Sequence, residues 1–260
     1  MPKKFVNDIN IHYEEMGSGF PLVMIMGLAG NLDWWPNELI NSLSQHFRVI
    51  IFDNRGAGRT DASDKEYSIP LFAEDTVKLM DALQIPKAHV LGISMGGMIA
   101  QEIALNFPER VEKLVLGCTN CGAKQSIPAS LDVLMTLTGQ LSTSPEDLLK
   151  IIFPPDFLKN NSNLVQEFVS KYLVAPIALE PFQQQLQAIL KFDSFERLSQ
   201  ISQSTLILTG DSDILVPPEN SKILSDNIPG SQQITYPGCG HGFVSQAPLQ
   251  VLDDLISFLR

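Results

Sequence analysis

Apolar and polar positions along the chain fall into two alternating rhythms. Apolar runs at residues 21–26, 48–52, 88–93, 114–117, 205–209 and 233–236 predict strands, most of them buried on both faces. Between and after them, helical spacing predicts helices at 33–44, 69–83, 95–106, 219–228 and 248–259; Ile69, Phe72, Ala73, Val77, Leu79, Met80 and Leu83 carry one such stripe. Residues 4–7 and 10–16 predict a short leading strand pair, closed by Gly17-Ser-Gly19. Repeated strand–helix units predict a mostly parallel sheet covered by helices on both faces.

One stretch departs from this rhythm. From about 120 to 200 no strand pattern occurs, and helical patterns at 131–141, 145–152, 164–173 and 181–192 are punctuated by Pro154-Pro155. The expected organisation is a core domain of 1–119 and 201–260 with a helical cap or lid insertion at 120–200. The simpler alternative is a group of helices packed at a sheet edge.

The chemistry is concentrated where a predicted strand meets a predicted helix. Gly92-Ile-Ser94-Met95-Gly96 has the form G-x-S-x-G, which on a strand–turn–helix holds a serine on a sharp turn with its hydroxyl outward. Glycines at 92 and 96 spare the neighbouring backbone a Cβ clash, and the helix start lends positive potential to a developing oxyanion. Alone the pattern would fit an inert Gly-rich turn; its flanking strand and helix make Ser94 a nucleophile candidate. A serine needs a base. Of four histidines, His12 and His89 lie within predicted strands and His46 follows a helix, whereas His241 occupies the Gly-rich loop Gly238-Cys-Gly-His241-Gly between the last strand and the last helix. The acid that orients it should lie between them, in Gly210-Asp211-Ser-Asp213 after a buried strand. Spacing leaves Asp211 and Asp213 both open.

Taken together, Gly92-x-Ser94-x-Gly96-Gly97, Asp53-Asn-Arg55-Gly56-Ala-Gly58, Gly210-x-x-Asp213 and Gly240-His241 resemble the α/β-hydrolase superfamily over nearly the whole chain. The resemblance implies the α/β-hydrolase fold: α/β class, a mostly parallel sheet of about eight strands with helices on both faces, and a helical cap. It maps the acid onto Asp213, giving the triad Ser94, Asp213 and His241. It implies an oxyanion hole from the Met95 N–H and a second N–H on the loop Met26-Gly-Leu28-Ala-Gly30, best supplied by Leu28. Methionine at 26 departs from the His-Gly common in the family. The Met-Gly loop followed by Asn31 and Trp35-Pro36 is similar to a smaller group, the aclacinomycin methylesterases, and points toward carboxylic esters. Asp53-Asn54-Arg55-Gly56 reads as a strand-end turn in which Arg55 pairs with acids, and Trp34 and Trp35 as packing near the oxyanion loop.

These expectations describe a serine carboxylesterase acting on uncharged short- to medium-chain esters through an acyl-enzyme, with no metal or organic cofactor. Cleavage of a C–C bond in a vinylogous diketone, lactone hydrolysis and perhydrolysis are rivals on the same triad. A small-molecule receptor of the same fold is the rival outside enzymology, and turnover of a p-nitrophenyl ester separates the two. Dehalogenase or epoxide-hydrolase chemistry is disfavoured, because those relatives have an Asp where Ser94 stands. Composition narrows the partners. A net charge of −11 argues against nucleic acid and anionic membranes. With 44% hydrophobic residues, 260 residues suffice for one large core. No 18-residue apolar run occurs, so no transmembrane helix is expected. Three cysteines, 118, 121 and 239, read as ordinary thiols of a cytoplasmic protein, and Cys118-x-x-Cys121 lacks the second pair or nearby histidine that a metal site needs.

Overall fold

The computed structural model describes residues 2–139 and 144–260. Among them, strands β1 (Lys3–Val6), β2 (Ile9–Met16), β3 (Pro21–Ile25), β4 (Arg48–Phe52), β5 (Ala88–Ile93), β6 (Val111–Gly117), β7 (Ser204–Gly210) and β8 (Gln232–Tyr236) form one sheet in the order β1-β2-β4-β3-β5-β6-β7-β8. The pairs β1–β2 and β2–β4 are antiparallel and every later pair is parallel.

Strand periodicity explains how the sheet is covered. Val23, Ile25, Ile50, Phe52, Val90, Leu114, Leu116 and Ile207 face one core layer, shared with α2 (Ile69–Ala82) and α3 (Met95–Asn106). Their neighbours Leu22, Met24, Val49, Ile51, Leu91, Val115, Leu206 and Leu208 face the other layer, shared with α1 (Asn37–Leu43) and the C-terminal helix Pro248–Leu259. Side chains that alternate across a strand thus both find a covering layer, which is why these strands read as continuous apolar runs.

Four helix expectations change in detail. The helix expected at 33–44 is two pieces: a 3-10 turn at Leu32–Trp34 and α1. Pro36 forces the preceding Trp35 into extended backbone (ψ 135°), so one helix cannot pass through. Within the insertion, α4 (Leu131–Leu137) ends before the expected 141, and residues 140 and 141 lie outside the described residues. After α5 (Pro145–Ile152) comes a short helix that the pattern missed, α6 (Pro155–Asn160). Pro154-Pro155 opens it rather than merely breaking the chain, because proline at the first turn forfeits no hydrogen bond. Finally α7 (Ser162–Val174) and α8 (Leu179–Lys191) are each displaced or extended by one to a few residues.

Helices α4–α8 lie between β6 and β7 in sequence and have a small apolar centre of their own, with Val133, Leu149, Ile152 and Phe153 buried against Leu137, Phe157, Val165 and Phe168. The remaining helices are α9 (Glu219–Asn227), α10 (Phe243–Gln246) and α11 (Pro248–Leu259). Among the described residues, no helix is long and apolar enough to cross a membrane.

Candidate active site

Ser94 stands between β5 and α3 at φ 55°, ψ −123°, a conformation that costs a non-glycine residue roughly 1–3 kcal/mol. Hydrogen bonds on both sides hold the turn. Ser94 N–H donates to the Gly117 carbonyl at 2.9 Å, and the Ser94 carbonyl accepts from Thr119 Oγ1 at 2.7 Å and Gly97 N at 2.9 Å. The glycines have a steric reason. A Cβ at Gly92 would lie 2.0 Å from the Gly96 carbonyl oxygen, and one at Gly96 would lie 2.1 Å from that of Ile25. Only glycine lets β5, α3 and β3 approach this closely.

His241 and Asp213 come from the loops after β8 and β7. Asp213 Oδ2 and His241 Nδ1 are 2.8 Å apart. Asp213 Oδ1 accepts the backbone N–H groups of Leu215 and Val216, at 2.9 and 2.8 Å. Asp211, the competing acid, faces elsewhere: its Oδ1 accepts from Gly238 N at 2.8 Å and Ser212 Oγ at 2.9 Å, so it shapes the loop. Burial by itself would drive the His241 pKa down. The charge and hydrogen bond of Asp213, with Cys118 adding to them, outweigh it and hold the imidazole well above its ordinary value.

The other three histidines do not reach the site. His89 packs between the rings of Phe20 and Phe47, where burial pulls its pKa down to about 4. His12 is buried beside the Pro2 carbonyl, and His46 accepts from Arg260.

Ser94 and His241 open into one cavity of about 590 Å³. Its wall includes Leu28 and Met95, Trp34 of the 3-10 turn, and Leu137, Phe153, Phe168, Tyr172, Phe182 and Leu186 from the insertion. Met135 and Phe157, also in the insertion, are absent from this wall, and Phe157 stacks on Phe153. Among the described residues no Asp, Glu, Lys or Arg lines the cavity. Trp34 contacts Phe168 and Tyr172 with ring centroids 5.2 and 5.7 Å apart, whereas Trp35 is buried in the core.

The loop after β3 presses on the serine. A Cβ on Gly27 would stand 2.9 Å from Ser94 Cβ. Among the described residues no acceptor is bonded to the Leu28 N–H. Met95 opens α3, and the first N–H groups of a helix have no partner inside it. The Asp53-Asn54-Arg55 turn supports this loop from below. Asn54 Nδ2 donates to the Met26 carbonyl at 2.8 Å, and Asp53 accepts from Leu32 N and Arg59 N, each at 2.7 Å. Arg55, fully buried, is forked onto Asp75 at 2.7 Å through both Nε and Nη2, and onto Asp8.

Two neighbours of the site carried no signal in the sequence. Cys118, held at φ 37°, places Sγ 4.0 Å from His241 Nε2. Gln185 of α8 reaches the Ala29 N–H. Gln185 belongs to no motif and the C-x-x-C spacing of Cys118 does not point to His241; each contact becomes visible only when segments distant in sequence are brought together. All three cysteines are free and buried. Cys118, Asp213 and His241 form the one cluster of three metal-ligating side chains among the described residues, with ligand atoms within 4.8 Å of one another, and its carboxylate is already bonded to His241 Nδ1.

Comparison with known proteins agrees with this architecture. The family described as "alpha/beta hydrolase fold" matches residues 21–248. A poly(3-hydroxyalkanoate) depolymerase of Ectopseudomonas oleovorans is 31% identical over 92% of this chain and 84% of its own. The Azorhizobium caulinodans protein named carbamate hydrolase RutD is 27% identical over 99% and 98%. The enol-lactonase of Burkholderia xenovorans LB400 superposes with a TM-score of 0.88 at 22% identity, over 99% of both chains, and so shares the fold. The chain is a hydrolase of the alpha/beta-hydrolase fold family.

Proposed function

We propose that the protein is a serine carboxylesterase that hydrolyses uncharged short- to medium-chain carboxylic esters through an acyl-enzyme intermediate. The observation that carries this reading is the shared cavity. Ser94 and His241 face one apolar space of about 590 Å³ into which, among the described residues, no Asp, Glu, Lys or Arg projects, while Asp213 holds the Nδ1 side of the ring. A neutral acyl chain gains from burial there, and a carboxylate-bearing one meets no Lys or Arg among the described residues.

In the proposed cycle His241 Nε2 takes the Ser94 proton as Oγ attacks the ester carbonyl. The N–H groups of Leu28 and Met95 stabilise the resulting oxyanion. His241 then protonates the departing alcohol, and afterwards takes a proton from the water that frees the acid and regenerates Ser94. Asp213 stays ionised, fixes the Nδ1–H tautomer and stabilises the imidazolium. Helices α4–α8 act as the cap, closing the acyl pocket above the strand ends.

A fluorophosphonate probe tests the assignment. It should label Ser94 alone, and Ser94→Ala should lose both labelling and ester turnover while remaining folded. Undiminished turnover in clean Ser94→Ala protein overturns the reading. The diketone and lactone alternatives use the same nucleophile, so a panel of esters, lactones and vinylogous diketones ranks them by kcat/KM.

A further inference from the structure

Gln185 is wholly buried on α8, and both ends of its amide hold backbone. Its Oε1 accepts the Ala29 N–H at 2.9 Å, and its Nε2 donates to the Arg55 carbonyl at 3.0 Å. One side chain from the cap therefore spans two loops of the core, those after β3 and β4. Ala29 directly follows Leu28, and it stands at φ 62°, a left-handed conformation disfavoured for a residue with a Cβ. A loop bent in this way needs outside bonds to stay in place. Its internal Gly30 N–H to Gly27 carbonyl bond, at 3.2 Å, closes the turn but does not fix it against Ser94.

We propose that Gln185 is a positioning residue that sets the direction of the Leu28 N–H and thereby couples the placement of the cap to the oxyanion hole. This rests on the serine-esterase reading above. Two further cap contacts end on the same stretch of chain: Asn31 Nδ2 donates to the Ala175 carbonyl at 3.1 Å, and Lys171 Nζ donates to the Trp35 carbonyl at 3.2 Å. Helix α8 also supplies Phe182, Leu186 and Ile189 to the cavity wall. The helix that touches the acyl chain is thus the helix that holds the oxyanion loop. A donor misplaced by a fraction of an ångström weakens the transition state more than the ground state, because the full oxyanion charge exists only in the former. A buried glutamine that merely satisfied two backbone groups would affect stability and leave the ratio of kcat to KM alone.

The test uses Gln185→Met, which keeps the shape and removes both hydrogen bonds, and Gln185→Glu, which keeps an acceptor for Ala29. Steady-state kinetics with p-nitrophenyl butyrate, thermal unfolding, and inhibition by an alkyl trifluoromethyl ketone, whose serine adduct bears an oxyanion, are measured on each. We expect Gln185→Met to lower kcat about 10- to 100-fold with KM changed less than about threefold, because one oxyanion donor is worth roughly 10²–10³ in kcat when lost outright. Affinity for the ketone should fall in parallel with kcat/KM, and Gln185→Glu should recover part of kcat. If Gln185→Met does not fold, Gln185→Asn, one methylene too short to reach both loops, should show the same split. The proposal is overturned if the folded variant keeps kcat and ketone affinity within twofold, or if only KM changes. Loss of turnover in Ser94→Ala beside unaffected Gln185 variants removes this inference alone, whereas turnover surviving in Ser94→Ala removes the esterase reading and this inference with it.

Discussion

Asp213 divides its carboxylate between two tasks, giving Oδ2 to His241 Nδ1 at 2.8 Å and Oδ1 to the N–H groups of Leu215 and Val216. The backbone bonds fix the plane of the carboxylate, and the carboxylate in turn fixes the ring. Asp213→Asn keeps the shape but can present an N–H to Nδ1, which favours the wrong tautomer. We expect kcat to fall on the order of 10³- to 10⁴-fold with little change in unfolding temperature. Asp211→Asn, altered only in the loop contacts to Gly238 and Ser212, should keep kcat within a few-fold. Parallel kinetics on the two variants decide the matter, and a crippled Asp211 variant would reverse the assignment.

The raised His241 pKa has a sign that pH profiles can read. The base works only as neutral imidazole, so kcat/KM should rise with pH and level off above an inflection higher than the ordinary value of 6.5. Asp213 is the partner that lifts the value against burial, so Asp213→Asn should move the inflection of its residual activity to lower pH. In linkage terms the pair stabilises the fold fully below the unfolded imidazole pKa, and this contribution fades as pH rises through the higher folded value. An inflection in the wild type below 6.5 would contradict the ion pair.

Much of this arrangement was legible in the sequence because it is local. The strand β5, the Gly-x-Ser-x-Gly turn and α3 are contiguous, and their periods and glycines announce them. Asp213 and His241 were legible as loop residues after buried strands, though the choice of Asp213 over Asp211 needed the family resemblance. What stayed hidden is non-local. Gln185 to Ala29 spans 156 residues and Cys118 to His241 spans 123, and no pattern within either segment encodes the pairing. The split of the expected 33–44 helix was in principle readable, since Pro36 restricts Trp35, but the apolar stripe continuing across the proline masked it.

Arg55 contributes to stability rather than to chemistry. Its guanidinium is fully buried, and Asp75, itself buried, also accepts from Asn7 Nδ2 at 2.7 Å. Burial lowers the pKa of Arg55, but its bonds to Asp75 and Asp8 outweigh this, so the charge persists inside the protein. Asp75→Ala would leave that charge with the partly exposed Asp8, the Ser63 hydroxyl and the face of the Tyr67 ring. Breaking a buried pair on one side costs about 3–5 kcal/mol. Urea unfolding should show the midpoint falling by a corresponding amount with an unchanged slope; a shift worth less than about 1 kcal/mol would mean that water replaces Asp75.

Substrate charge is the sharpest test of the cavity. The acyl chain must enter a space whose wall among the described residues carries no Asp, Glu, Lys or Arg, on a protein of net charge −11. Each buried CH₂ contributes about 0.8 kcal/mol, or roughly fourfold in kcat/KM if fully realised. A carboxylate at the end of the chain must instead be desolvated without a partner, at several kcal/mol. At equal leaving group, kcat/KM should therefore climb from acetate through butyrate to hexanoate and fall once the cavity is filled. Adipate monoester, matched to hexanoate in length, should be at least about a hundredfold worse than hexanoate. Equal rates for the two would mean that the chain end reaches solvent through the cap. A preference for adipate would require a cation at the pocket, with Arg59 or a cap lysine as the residues to examine, and would end the neutral-ester reading.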